Sequence, residues 1–248
     1  MTNSFLIMPI SNHLSGIILK ERNVRENDKF ITFYSKEYGK AEILVRGARK
    51  INSKLNPIIS ARFSYLDLVV IKGKNFYRLI DGETRETFRE LIKDYQKILL
   101  INNIFKKIDE LLRFQKADYK ILALILGFLR KMDELPTRKT LPLAAAFLIK
   151  LLAFAGYCPE LKYCSVCQKS PSTKQVFFDL NKGSIICSHH KLPLSLNDAR
   201  IGISLDCLKT LRIFLYQDFD YLEKCNIKKQ EFLKTWELIN KFLKWQIG

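Results

Sequence analysis

Cys164 and Cys167 stand two residues apart, and after nineteen further residues Cys187 and His190 repeat that spacing. A zinc ion takes four soft or borderline ligands in a tetrahedron. One C-x2-C turn offers two thiolates to a metal, and a second turn of the same spacing supplies the other two ligands. The gap falls within the range of zinc ribbons. His189 stands beside His190 as a rival for the fourth position, so two of the chain's three histidines lie next to Cys187. Four protein ligands close a zinc site and make it structural rather than catalytic. The competing account is three unrelated buried cysteines and two surface histidines.

The elements that must hold these ligands are short. A polar Ser170–Lys174 turn leads to an apolar run at Val176–Phe178. An Asn181-Lys182-Gly183 turn follows, then Ile185 and Ile186. A hairpin of this kind carries the second ligand pair to the first. Of the six cysteines, Cys158 falls outside the spacing, and Cys207 and Cys225 lie in helical sequence as buried or half-buried thiols. A metal-type cysteine pattern without a secretory signal points to a reducing compartment. The longest apolar runs, Ile121–Leu129 and Leu141–Ile149, are too short for a membrane span. The expected location is cytoplasmic and nucleoid-associated, with no membrane partner.

The 248 residues carry a net charge of +17, and 48% are hydrophobic. The second figure excludes a disordered chain, and the first favours a polyanionic partner, nucleic acid above all. The bland alternative is a solvated basic surface. The charge is densest in residues 1–80, at +8 (14 Lys and Arg against 6 Asp and Glu). Those residues read as five strands without a long helix, which predicts a small closed barrel, and for a nucleic-acid binder an OB-fold. Glu37-Tyr38-Gly39-Lys40 reads as a hairpin turn with glycine at a positive φ. Between the third and fourth strands runs a basic segment, Arg46 to Lys54, read as a mobile loop that tracks phosphates. Arg46, Arg49, Lys50 and Lys54 are the first candidates for DNA contact, with Lys36, Lys40, Lys72 and Lys74 in support. Tyr34, Tyr38 and Tyr65 offer faces for stacking, although a small barrel needs most of its aromatics as filler.

From Asp81 the period changes to that of helices. Glu83, Glu86 and Glu90 favour a helix N-terminus, and apolar residues recur at helical spacing from Phe88 to Leu112. Asp118 can cap a helix from Tyr119 to about Met132, apolar nearly all round and so central to a bundle. A third helix runs from about Thr140 to Ala155, with Pro142 in its first turn. Helices resume at Leu205–Tyr216 and Lys228–Ile247. The expected fold is α+β and multidomain. It comprises an OB-fold DNA-binding domain at 1–80 and a helical domain at 81–156 and 196–248, with a zinc-ribbon-like insertion at 157–195.

That order resembles the RecO family of bacterial recombination mediators, over the whole chain. The resemblance rests on Gly39-Lys40 followed by Arg46-Gly47-Ala48-Arg49-Lys50, on Gly156-Tyr157-Cys158-Pro159-Glu160-Leu161 leading into Cys164-Ser165-Val166-Cys167, and on Phe177-Phe178-Asp179 to Gly183 to Cys187. His190 replaces the family's usual fourth cysteine. The resemblance implies a non-enzymatic DNA repair and recombination protein with a structural zinc ion. It further implies binding of single- and double-stranded DNA and annealing of complementary strands. Its implied partners are RecR and the C-terminal tail of the single-stranded DNA-binding protein, with RecA served indirectly. An apolar groove rimmed by Arg130, Lys131, Arg138 and Lys139 is the expected seat of that acidic tail.

Three other readings compete. A DNA glycosylase would need a Pro-Glu start, which Met1-Thr2-Asn3-Ser4 does not provide, and no H-E-x-x-H, P-loop or nucleophile elbow occurs. A zinc-ribbon RNA- or ribosome-binding protein would distinguish RNA from DNA. A purely structural adaptor would bind neither.

Overall fold

The computed structural model describes residues 11–114, 116–171, 175–190 and 199–247. Residues 172–174 of the expected polar turn, the N-terminal residues 1–10 and the end of the expected insertion lie outside the described residues. The chain forms two compact units, Met1–Leu129 and Arg130–Gly248.

The first unit is built on five strands: β1 (Ser11–Val24), β2 (Asp28–Ser35), β3 (Gly39–Val45), β4 (Ser64–Lys72) and β5 (Tyr77–Thr87). They close into a barrel in the order β1-β2-β3-β5-β4. Closure leaves no sheet edge exposed to pairing. All neighbours are antiparallel except β3 and β5, which pair in parallel through Ile43–Tyr77 and Leu44–Arg78. β4 shows the alternation that makes this possible: Ser64, Leu66, Leu68 and Val70 are buried, and the residues between them are half-buried. Leu66, Leu68 and Val70, with Leu14, Ile31, Phe33, Ile43, Val45 and Leu79, fill the interior. A short helix, α1 (Asn56–Ser60), sits between β3 and β4 and packs Leu55, Ile58 and Ile59 on that core.

Gly39 opens β3 with φ +68°, as expected of the turn, and a Cβ there would lie 2.2 Å from the Lys116 carbonyl oxygen. Only glycine meets both conditions. The fifth strand runs past the expected end at residue 80. Glu83 and Glu86 lie on β5, opposite Asp67 and Tyr65, and do not begin a helix. The helix starts later, as α2 (Tyr95–Leu111), where the Asp94 carboxylate accepts from the Gln96 and Lys97 N–H groups. Its buried stripe is Ile101, Ile104, Phe105 and Ile108, one face of a helix packed on β1. α3 (Tyr119–Glu134) begins at the expected cap, with Lys120 N–H donating to the Asp118 carboxylate at 2.8 Å. α2 and most of α3 therefore belong to the same compact unit as the barrel, and the units do not divide at residue 80.

The second unit is helical with one sheet. Its central helix is α4 (Thr140–Leu152), not α3. Every residue from Leu143 to Ile149, with Leu151 and Leu152, is buried there. α4 packs against α5 (Leu205–Tyr216), α6 (Phe219–Lys224) and α7 (Lys229–Ile247). The segment Thr137–Tyr157 is long and apolar enough to cross a membrane, but these contacts give it the role of a core helix. The sheet has the order β6-β8-β7-β9, with β6 (Glu160–Cys164), β7 (Gln175–Asp179), β8 (Ser184–Cys187) and β9 (Arg200–Ser204). β9 pairs antiparallel with β7, so the sheet extends past the expected limit at residue 195.

Candidate functional site

The cysteine pairs meet because β6 and β8 are neighbours. Cys164 ends β6 and Cys187 ends β8, and the Cys187 N–H donates to the Cys164 sulfur at 3.3 Å. The turn after Cys164 is closed by Gln168 N–H donating to the Cys164 carbonyl, with Gln168 itself at φ +57°. The β7–β8 hairpin has the expected apolar strands and turn. The Asp179 carboxylate accepts from Asn181 and Lys182 N–H, and Gly183 has φ +58°. The sulfurs of Cys164, Cys167 and Cys187 lie within 4.8 Å of one another. Three thiolates on one tetrahedral zinc stand about 3.8 Å apart, which follows from a Zn–S bond of about 2.3 Å.

Cys167 also lies within 4.8 Å of ligand atoms of both His189 and His190. Their rings are 4.1 Å apart in the turn Ser188–His190. His189 is exposed, whereas His190 Nε2 is buried and has no hydrogen-bond partner among the described residues. A buried ring nitrogen without a partner is costly unless something binds it. Three clustered sulfurs and an orphaned imidazole nitrogen fit a zinc ion. Burial raises the thiol pKa of Cys164, but N–H groups of Cys167, Cys187 and Val166 outweigh it and favour the thiolate. Burial and the Cys164 charge raise that of Cys187. Without a cation the cluster holds unequal thiols, and a divalent ion would draw the protons from all of them.

On the barrel, the expected cations divide. Lys36, Arg46, Arg49, Lys50, Lys54, Lys72 and Lys74 are exposed, and none forms an ion pair with a described residue. Several neighbours are neutralised internally: Arg22 pairs with Glu42, Lys29 and Arg62 with Glu21, and Arg85 with Asp67, whereas Arg25, also exposed, forms no ion pair with a described residue. Lys40 departs from the expectation. It is 5% exposed, and its ammonium donates to the Asp109 carbonyl at 2.5 Å and to the Asp109 carboxylate at 3.2 Å. It also faces the Phe114 ring at 4.4 Å. A lysine so placed ties the barrel to the end of α2 and is not presented to phosphate.

The basic connection from Arg46 to Lys54 is ordered by hydrogen bonds rather than loose. Gly47 N–H donates to the Asp28 carboxylate, and Arg49 N–H and guanidinium donate to the Asn27 and Glu26 carbonyls. Lys50 and Ser53 close successive turns. At its tip Ile51 is fully exposed.

The aromatic expectation shifts as well. Tyr34 is core, its hydroxyl donating to the Asp118 carbonyl, and Tyr65 is half-buried beside Arg85. Tyr38 remains 37% exposed. Sequence reasoning missed Phe76 and Phe114, which are 39% and 53% exposed and line one cleft of about 410 Å³ with Lys72, Lys74 and Asn75. For Phe76 the sequence offered half a signal: it and Tyr77 are adjacent aromatics after the Gly73-Lys74-Asn75 turn, and only one of the two can face inward.

The chain thus joins a closed barrel bearing exposed cations to helices and to a sheet holding a cysteine–histidine cluster. Residues 8–88 match the family described as Recombination protein O N terminal, and residues 92–248 match that described as Recombination protein O C terminal. The chain belongs to the recombination protein O (RecO) family. It is 27% identical to the DNA repair protein RecO of Caldicellulosiruptor saccharolyticus, over 89% of this chain and 87% of that one. It is 28% identical to that of Thermoanaerobacter sp. (88% and 85%) and 30% identical to that of Clostridium acetobutylicum (86% and 80%).

Proposed function

We propose that this protein is a non-enzymatic recombination mediator. It binds single- and double-stranded DNA, anneals complementary strands and, with RecR, helps load RecA on strands coated by the single-stranded DNA-binding protein. The observation that carries this reading is the division of charge on the barrel: Arg22, Lys29, Arg62 and Arg85 are paired internally, whereas seven of the expected cations, and Arg25 with them, are exposed and form no ion pair with a described residue. Arg46, Arg49, Lys50 and Lys54, supported by Lys36, Lys72 and Lys74, neutralise phosphates on two strands and lower their mutual repulsion. Base pairing then supplies the recognition. The strand order β1-β2-β3-β5-β4 with a helix between β3 and β4 supports reading the barrel as an OB-fold.

The ligand set is Cys164, Cys167, Cys187 and His190, and the orphaned Nε2 supports His190 over His189. A zinc ion there would supply cross-linking of a small zinc-ribbon-like sheet, not chemistry. For the acidic tail of the single-stranded DNA-binding protein, the second unit offers a cleft lined by Leu135, Pro142, Leu143 and Phe219, with Arg138 and Lys139 beside them. Lys131 is removed from that role by ion pairs to Glu134 at 2.8 Å and Asp220 at 2.6 Å. Charge reversal at Arg138 and Lys139 should abolish tail binding, and unchanged binding would remove this seat. The protein acts in the cytoplasm, at the nucleoid.

The deciding experiment is annealing of two labelled complementary oligonucleotides across a salt series, naked and coated with the single-stranded DNA-binding protein. Acceleration on coated strands, weakening as salt rises, is expected. Acceleration independent of salt would contradict the phosphate mechanism, and a preference for RNA of the same length would favour the ribosomal reading.

A further inference from the structure

Two phenylalanines on the barrel are held in place without being covered. Phe76 stands in the β4–β5 turn, edge-on to the Phe30 ring at 5.1 Å, and Phe30 in turn carries the Arg22 guanidinium at 4.4 Å. Phe114 rests on the buried Lys40 ammonium. Each ring therefore has a fixed seat, yet 39% and 53% of these residues stay exposed. Exposed aromatic area fixed in one orientation is what a stacking platform requires, because the ordering cost is met before the ligand arrives. Both rings line the same cleft, and its volume of about 410 Å³ admits a base with its sugar.

The charges around the cleft select the ligand. Lys72 and Lys74 border it, exposed and unpaired among the described residues. Its one carboxylate, Glu42, is already bound by the Arg22 guanidinium at 3.0 Å and the Thr32 hydroxyl at 2.9 Å, so its charge is largely answered. The cleft thus combines π-faces with cations free to meet anions. In a duplex the base faces are stacked on one another and out of reach. In a single strand they are available, and each base is flanked by phosphates.

We propose that this cleft seats an unpaired base of a single strand against Phe76 and Phe114, with Lys72 and Lys74 on the flanking phosphates. This rests on the DNA-binding reading above and adds to it a discrimination between single and double strands that charge alone does not provide. Every base has a π-face, so the preference is for unpaired nucleotides and not for a sequence.

The test is fluorescence anisotropy of the full chain with labelled oligothymidylate, an abasic oligomer of equal length and charge, and a duplex. The wild type should favour the base-bearing strand over the abasic one by about 5- to 150-fold, the range of a lost base–aromatic stack. Phe76→Leu and Phe114→Leu, which keep apolar volume and the fold, should each reduce that preference without moving duplex affinity, and Phe76→Trp should retain it. Thermal melting of each variant checks the fold. Equal wild-type affinity for abasic and base-bearing strands overturns this proposal alone, as does an undiminished preference in both leucine variants. Release of the oligomer by thymidine monophosphate at equal base concentration overturns the strand as occupant in favour of a free nucleotide. Binding of no strand at low salt overturns the DNA-binding reading and this proposal with it.

Discussion

The barrel and the cysteine-bearing sheet place their functional groups on opposite sides of their own cores. In the barrel, fourteen buried residues form an apolar interior, and the candidate DNA contacts hang outside it in turns. In the sheet, one buried cluster consists of Cys164, Ile186 and Cys187, with Cys167 and Phe177 packed on it, so on that face the candidate ligands are the core. The other face of the sheet is apolar and buried, with Leu161, Val176, Phe178 and Ile185 inside and Phe178 edge-on to Phe242 at 5.2 Å, so it is the face bearing the ligands that lacks apolar filler and that a metal would brace. Function should therefore be separable from folding in the barrel and inseparable from it in the sheet.

The largest effect should come from breaking the sheet. A structural zinc contributes about 10–16 kcal/mol of apparent folding energy to its module. A strong chelator, or Cys187→Ser, should release one zinc per chain and expose the region between β6 and β9 to limited proteolysis. The salt dependence of barrel binding to DNA should survive. An unchanged cleavage pattern after metal loss would mean that the sheet stands on its own packing. The converse experiment replaces Arg46, Arg49, Lys50 and Lys54 by glutamine. If all four touch phosphate, the slope of log affinity against log salt on a single strand should fall by about 2.8. The melting temperature should change little, because no ion pair with a described residue is lost and only the exposed Arg49 guanidinium bond to the Glu26 carbonyl goes with the side chains. The barrel's own weak point is its backbone. Gly39→Ala asks alanine to adopt φ +68° within 2.2 Å of the Lys116 carbonyl oxygen, and should cost about 2–4 kcal/mol by thermal or denaturant melting.

What could be read in the sequence was what is local. The Asn181-Lys182-Gly183 turn and the Asp118 cap depend on residues a few positions apart, and the structure has each where its chemistry predicts. What could not be read depends on pairing across the chain. β9 is five residues with a glycine in the middle, and it becomes a strand because β7 offers an edge. β5 continues through Glu83 and Glu86, despite their helix-start character, because β4 pairs with it to Ser64. Phe76 and Tyr77 are adjacent aromatics, and alternation says only that one of them points inward. The barrel chose Tyr77, which is 7% exposed, and left Phe76 outside. His190 could not be chosen over His189 from spacing alone, since only burial separates them.

The smallest expected effect draws the comparison most finely, between two lysines on either side of one turn. Lys36 and Lys40 flank Glu37-Tyr38-Gly39 and look alike in a basic sequence. Gly39 turns the chain so that Lys36 stays exposed, while the Lys40 side chain passes inward to Asp109. Lys40→Met keeps the stem and removes the ammonium, leaving the Asp109 carbonyl without this donor and its carboxylate with Lys20 at 3.9 Å. That should cost about 1–3 kcal/mol of stability, in keeping with an incompletely buried group that loses its partner. It should leave the salt slope of DNA binding unchanged. Lys36→Met should do the reverse: a melting temperature within error of the parent and a slope lower by about 0.7 if it touches phosphate. Paired melting curves and salt titrations of the two variants check this crossing pattern. A reduced slope for Lys40→Met at full stability would return Lys40 to the DNA-binding surface. It would also mean that the barrel's binding and folding residues are not separable after all.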